Sequence, residues 1–322
     1  KEEKSAVYEE ISKVYEQASR STVKVSAFMQ DVDWFEMAYD SQASETGLVF
    51  KRDSDYYYIL TGYNKLKDAD SIIVTTKTDE AVDAELMGYD KTFDIAVLKV
   101  VAENDNKRIL KTLRCAGFGD MAMISVADPV IAIGSVDGNA SSFATGYVSE
   151  KVGTVGMADR TYDTFVTTVP VVSSDSVFIF GMNGKVYGYH GSACAYRDSG
   201  YSESIEIADL LVYADRIVEG KTTCGFGITV SDIPDEVRKA QEIPEGIYIL
   251  SVKKDTDAYN AGIQAGDVIS AIGKDEIMSM EDYDRILSEL DPEEEALIKV
   301  FRSSQGSYKE RSFKAKPHLV QY

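Results

Sequence analysis

The sequence holds two histidines, His190 and His318, so any step that needs an imidazole base must use one of them. Hydroxyl nucleophiles are easier to find: Ser173, Ser174 and Ser176 surround Asp175. A serine attacks a carbonyl only where a base takes its proton and positioned donors hold the developing oxyanion. One such pairing joins a serine of 173–176 to His190. The plainer reading of the same residues is a serine-rich loop and a partly buried neutral ring at a strand end. Asp175 joins Asp163 and Asp120 as a set of acids, but no ligand-spaced cluster accompanies them, so neither a metal nor another cofactor is expected. Cys115, Cys194 and Cys224 lie too far apart for a CxxC metal or redox motif, and an odd count leaves at least one thiol outside an intrachain bridge.

The elements that must position these residues follow from length and pattern. At roughly 100–200 residues per domain, 322 residues imply two domains or three. Lys and Arg total 34 against 54 Asp and Glu, a net charge of −20. A surface of that sign repels phosphate backbones, which excludes nucleic acid as a partner. No apolar run reaches the ~18 residues of a membrane span. Residues 4–19 carry Val7, Ile11, Val14 and Ala18 at helical spacing. From Thr22 onward, short β-branched and alternating segments recur between turn residues, among them Tyr56–Thr61, Ile95–Val100, Met121–Ser125, Val177–Gly181 and Lys185–His190. That spacing describes a barrel or sandwich rather than alternating βα units. Ser202–Glu219 reads as a helix stopped by Gly220. Beyond it, Gly225–Val230 and Gly246–Lys253 read as strands, Ile233–Glu242 and Met280–Leu290 as helices, the second capped by Ser279. Ala296–Arg302 and Ser307–Lys314 form an expected hairpin.

Several segments in order resemble the HtrA/DegP-type serine proteases. Gly47-Leu-Val-Phe, Tyr58-Ile-Leu-Thr-Gly-Tyr-Asn-Lys-Leu and Asp94-Ile-Ala-Val-Leu-Lys-Val resemble the first barrel of that family. Ile133-Gly134-Ser135, Ala144-Thr145-Gly146-Tyr147-Val148-Ser149 and Asn183-Gly184-Lys185-Val186-Tyr187-Gly188 resemble the second. Gly225-Phe226-Gly227-Ile228 and Ala261-Gly-Ile-Gln-Ala-Gly-Asp-Val-Ile269 resemble PDZ motifs. The resemblance, spanning about residues 10 to 315, implies a mostly β chain: a trypsin-like double β-barrel followed by a small α+β PDZ-like domain. The expected division is an N-terminal helix over 1–20, the barrels over 21–220 and the PDZ-like domain over 221–322.

On that alignment the family's catalytic histidine falls on Asn64, its aspartate on Asp94 and its nucleophile on Asp175. An amide does not titrate near neutral pH and cannot serve as the base. A bare carboxylate at 175 would oppose the oxyanion by about 1 kcal/mol in water and roughly 4 at an effective dielectric of 20. Asp94 reads equally well as a structural carboxylate. These positions lead to the expectation of a catalytically inactive pseudoprotease, not an enzyme, that binds peptides or protein partners. The alternative is an active serine-type endopeptidase with a rearranged, non-standard site.

PDZ domains add a peptide as a strand to a sheet edge and hold its terminal carboxylate on loop amides. The resemblance therefore assigns peptide binding to Gly225, Phe226, Gly227 and Ile228, with Tyr283, Ile286 and Leu287 as the facing wall; the plain alternative makes Phe226 and Ile228 core residues of a closed groove. The implied partner is a peptide or protein C-terminus. The family also points to a homo-oligomer, a trimer by its habit, with no residue here deciding it. The start at Lys1, without Met, together with the resemblance, leads to the expectation of a bacterial, extracytoplasmic protein tethered to a membrane by a removed N-terminal segment.

Overall fold

The structure is a computed structural model that describes residues 2–32, 38–102, 106, 110–136, 142–171, 175–194, 196–197, 201–304 and 306–321. The chain forms two compact units, one of residues 1–153 and 163–220, the other of residues 154–162 and 221–322.

The first unit opens on the helix Glu2–Ala18 and continues as two antiparallel barrels. In the first, Thr22–Val32, Ala38–Arg52, Tyr56–Gly62, Ser71–Thr75, Ala81–Asp90 and Ile95–Val101 run in a closed circuit, sealed where Ala81–Asp90 pairs with Ile95–Val101. Its interior is filled from alternate positions by Val23, Val25, Val49, Ile59, Val74, Ala96, Leu98 and Val100. In the second barrel, Pro129–Gly134, Ser142–Met157, Arg160–Thr167, Tyr201–Glu206, Val186–His190 and Val177–Gly181 close in the same way, with the adjoining ends of the two long strands, residues 154–162, counted in the second unit. Val130, Ala132, Val148, Phe165, Val177, Ile179 and Tyr187 share its core.

The chain departs from its expected elements in three informative places. Residues 202–206 are strand, not helix: the helix is Ile207–Val218 and follows the strand Tyr201–Glu206 directly. Ser202 and Ser204 are buried there, and the Ser202 and Thr167 hydroxyls lie 3.0 Å apart. Buried serines hide a two-residue period that apolar counting cannot see. Met121–Met123 is a short 3-10 helix rather than a strand, because the Asp120 carboxylate accepts from Ala122 N–H at 2.8 Å and tightens the turn. The expected strand 225–230 is split into Thr223–Gly225 and Ile228–Ser231 by Phe226-Gly227.

The second unit is a small α+β fold. Ile228–Ser231, Ile247–Val252, Val268–Ile272, Ala296–Ser304 and Ser307–Ala315 form one sheet in that order, with Ile228–Ser231 at its edge. The helix Met280–Leu287 is capped by Ser279, whose hydroxyl accepts from Asp282 N–H. It turns Tyr283, Ile286 and Leu287 toward Phe226, Ile228, Ile249, Ile269 and Val300 in one apolar core. His318 lies in the strand His318–Gln321, opposite Gly225, with its side chain exposed.

Candidate functional sites

Asp94 opens the strand Ile95–Val101 from the left-handed region of backbone space, at φ 54°. Aspartate tolerates that conformation better than most residues. The turn before it is built by Asp90, whose carboxylate accepts from Thr92 N–H at 2.8 Å and Phe93 N–H at 3.1 Å. This geometry brings the Asp94 carboxylate against Asn64, whose N–H donates to Oδ1 at 2.7 Å. The Ser192 hydroxyl donates to Oδ2. The Asn64 side-chain amide in turn donates to Ser192 Oγ at 3.3 Å. Asn64 and Ser192 are exposed, while Asp94 is 7% exposed. Burial raises the Asp94 pKa above the ordinary carboxylate range, and its hydroxyl and amide donors offset only part of that. Ser192 carries no signal in the sequence: it lies 98 positions from Asp94.

Asp175 is buried, but it is not a bare charge. Lys65 Nζ lies 2.6 Å from its carboxylate and 3.7 Å from that of Glu45. Glu45 also accepts from Ser176 N–H at 2.9 Å. Desolvation dominates over these partners and lifts the Glu45 pKa from 4.5 to about 7. The Ser176 hydroxyl is buried beside Tyr189 OH at 3.2 Å. Ser173 and Ser174 lie outside the described residues. His190 Nδ1–H donates to the Glu203 carbonyl at 2.6 Å, and burial depresses the ring's pKa. Tyr189 and His190 are consecutive on one strand and project to opposite faces, so the hydroxyl that meets Tyr189 is turned away from the imidazole. The structure thus brings Asn64 and Asp94 together. It does not give Ser176 a histidine.

In the second unit the residues expected to bind peptide converge. Gly227, at φ 73°, sits where a side chain would be strained, and the turn it allows aims the amides of Phe226, Gly227 and Ile228 at one point. Phe226, Ile228, Tyr283, Ile286 and Leu287 are all buried in one cluster. The amides already have an acceptor. Asp159, from the part of the chain between the strands Ser142–Met157 and Arg160–Thr167, presents Oδ1 to Phe226 N–H at 2.9 Å and Oδ2 to Gly227 N–H at 2.7 Å. Ile228 N–H and Tyr283 OH donate to Oδ1 at 3.3 Å and 3.0 Å. Sequence reasoning missed Asp159, which is separated from its amide partners by 67 to 69 positions.

Residues 45–186 match the trypsin-like peptidase domain, and residues 248–302 match the PDZ domain. Among curated proteins, the chain is 26% identical over 274 residues to a probable periplasmic serine endoprotease DegP-like of Brucella suis, covering 82% of this chain and 51% of that protein. It is 28% identical over 279 residues to the protein of that name from Pseudomonas fulva, covering 84% and 55%. The chain therefore spans about half the length of the curated relatives it matches. Among solved structures, the HtrA-type protease AlgW with decapeptide superposes with a TM-score of 0.59 at 20% identity, over 95% of this chain and 98% of that one. The serine endoprotease from Yersinia pestis gives the same values. These structural matches establish the shared fold.

The curated similarities overturn the expectation that the chain is not an enzyme, because the relatives it matches are named serine endoproteases. The expectation rests on residue type at three positions and takes Asp175 as a bare charge, whereas Lys65 pairs with that acid and Asp94 accepts from the Ser192 hydroxyl.

Proposed function

From the premise that this chain has the HtrA-type build, a trypsin-like peptidase domain followed by a PDZ domain, we propose that it is a serine-type endopeptidase with a rearranged site, acting on polypeptides outside the cytoplasm and recognising their C-termini through its PDZ domain. The observation that carries the reading is the Ser192–Asp94 contact: an exposed hydroxyl bonded to a buried carboxylate whose basicity is raised. In this reading Ser192 Oγ forms the bond to the scissile carbonyl carbon while its proton passes to Asp94. The Asn64 side-chain amide, already 3.3 Å from Oγ, stands beside the nascent oxyanion as a donor. The C–N bond then breaks, the leaving amine takes the proton from Asp94, and water releases the acyl group by the reverse path. Ser176 is the weaker nucleophile because its hydroxyl is buried.

The periplasmic names of the relatives support the location, and the convergent amides of 226–228 support the recognition of carboxylates. The test is fluorophosphonate labelling and casein cleavage by the whole chain, with Ser192→Ala and Ser176→Ala variants. Labelling that disappears in Ser192→Ala and persists in Ser176→Ala is the expected result. A native chain that neither labels nor cleaves, or a Ser192→Ala variant that does both, defeats the reading.

A further inference from the structure

The edge strand Ile228–Ser231 and the amides before it form a strand-addition site with a carboxylate nest at one end. Within the same compact unit, residues 156–159 lie along that edge. Asp159 N–H donates to the Ile228 carbonyl at 2.8 Å. Ala158 and Thr229 form an antiparallel bridge. A Cβ added to Gly156 would come within 2.9 Å of the Val230 carbonyl oxygen, so the backbone there runs hard against the strand. The segment therefore runs antiparallel to the edge and toward the nest, and at the nest it supplies a carboxylate. Gly225 completes the fit, since any Cβ there would collide with the Asp159 carboxylate. The fit is specific to an acid: each oxygen accepts from a backbone amide, and Oδ1 also accepts from the buried Tyr283 hydroxyl.

We propose that residues 156–159 are an internal ligand of the PDZ domain, with the Asp159 side chain standing in for a terminal carboxylate, so that an external C-terminus binds only by displacing them. This deepens and rests on the reading that the PDZ domain recognises C-termini. An intramolecular ligand competes at a high effective concentration, which sets the resting state closed and makes peptide affinity a measure of how readily the segment leaves. The apolar residues beside the nest, Phe226, Ile228 and Leu287, select an apolar last residue in the incoming chain.

The test uses the full chain and fluorescein-labelled decapeptides ending in Val, Leu or Phe, each with a free or an amidated C-terminus. Asp159→Gly removes the carboxylate yet keeps the backbone at φ 62° without strain. Asp159→Asn is the second variant, because asparagine also tolerates that conformation and leaves one acceptor in the nest. The expected result is binding at least tenfold tighter in Asp159→Gly than in the native chain, an intermediate gain in Asp159→Asn, and loss of the gain with amidated peptides. Equal affinity in native and variant chains overturns the internal ligand while leaving C-terminal recognition standing. Binding of none of the peptides by any of the chains overturns both.

Discussion

Asp94 and Asp159 invite direct comparison. Both are buried, both take left-handed backbone angles, at 54° and 62°, and both immediately precede a strand. They differ in what holds them. Asp159 is held by three backbone amides and a phenol. Asp94 is held chiefly by one amide and one exposed hydroxyl, and burial lifts its pKa. Backbone amides are fixed by the fold and are left unsatisfied at a cost of about 1–3 kcal/mol if their acceptor leaves. An exposed hydroxyl can turn to water. The first arrangement ties a segment down at four points; the second leaves a hydroxyl that can exchange partners.

The largest test of this contrast lies at Glu45, a third buried acid, which shares Lys65 with Asp175. The folded chain holds the Glu45 proton up to about pH 7, while the ordinary value is 4.5. Folding is therefore favoured by this group at acid pH, and that contribution is lost as pH rises from about 4.5 through about 7. Glu45→Gln keeps an acceptor for Ser176 N–H and removes the charge. Urea unfolding at pH 8 should show the variant more stable by about 3 kcal/mol, with a difference under about 1 kcal/mol at pH 5. Equal stabilities at pH 8 would mean that Lys65 fully compensates the buried acid.

Next in size is the tenfold gain in peptide affinity expected of Asp159→Gly, about 1.4 kcal/mol. Gly225→Ala addresses the same nest from the other side. It should cost about 1–3 kcal/mol in the native chain by overpacking, and less in the Asp159→Gly background, where the collision partner is gone. A double-mutant cycle with no coupling between the two sites would place the strain elsewhere. The smallest effect is on stability in Ser192→Ala. Losing one donor from an exposed hydroxyl should cost about 1 kcal/mol or less. Because that donor lowers the Asp94 pKa, a carboxyl-carbon titration should show the pKa rise further. A fall would show that the hydroxyl does not stabilise the ionised form.

Much of the fold was legible in the chain. The continuous apolar and β-branched runs of Tyr56–Gly62 and Ile95–Val101, the Ser279 cap, and the glycines at 225 and 227 all mark structure locally. Asn64 and Asp94 were found because their flanking strands carry recognisable motifs, and the structure joins them by a 2.7 Å hydrogen bond. The strand Tyr201–Glu206 was lost to a helical pattern because its inward positions include serines. Ser192, Lys65 and Glu45 carry no local signal, because serines, lysines and glutamates are usually solvated and the burial of Glu45 is set by residues far along the chain.

By itself, the sequence determined the chain's class: the recurrence of short apolar segments between turns describes a barrel or sandwich, and its motifs order a trypsin-like region before a PDZ-like one. Those properties are set by neighbours along the chain. Only the tertiary structure decided that Lys65 neutralises Asp175, that Ser192 reaches Asp94 and that Asp159 fills the amide nest. Each of those contacts joins residues between 68 and 110 positions apart in a low-dielectric or edge-strand setting, where partner identity and desolvation, not residue type, fix what an acid does.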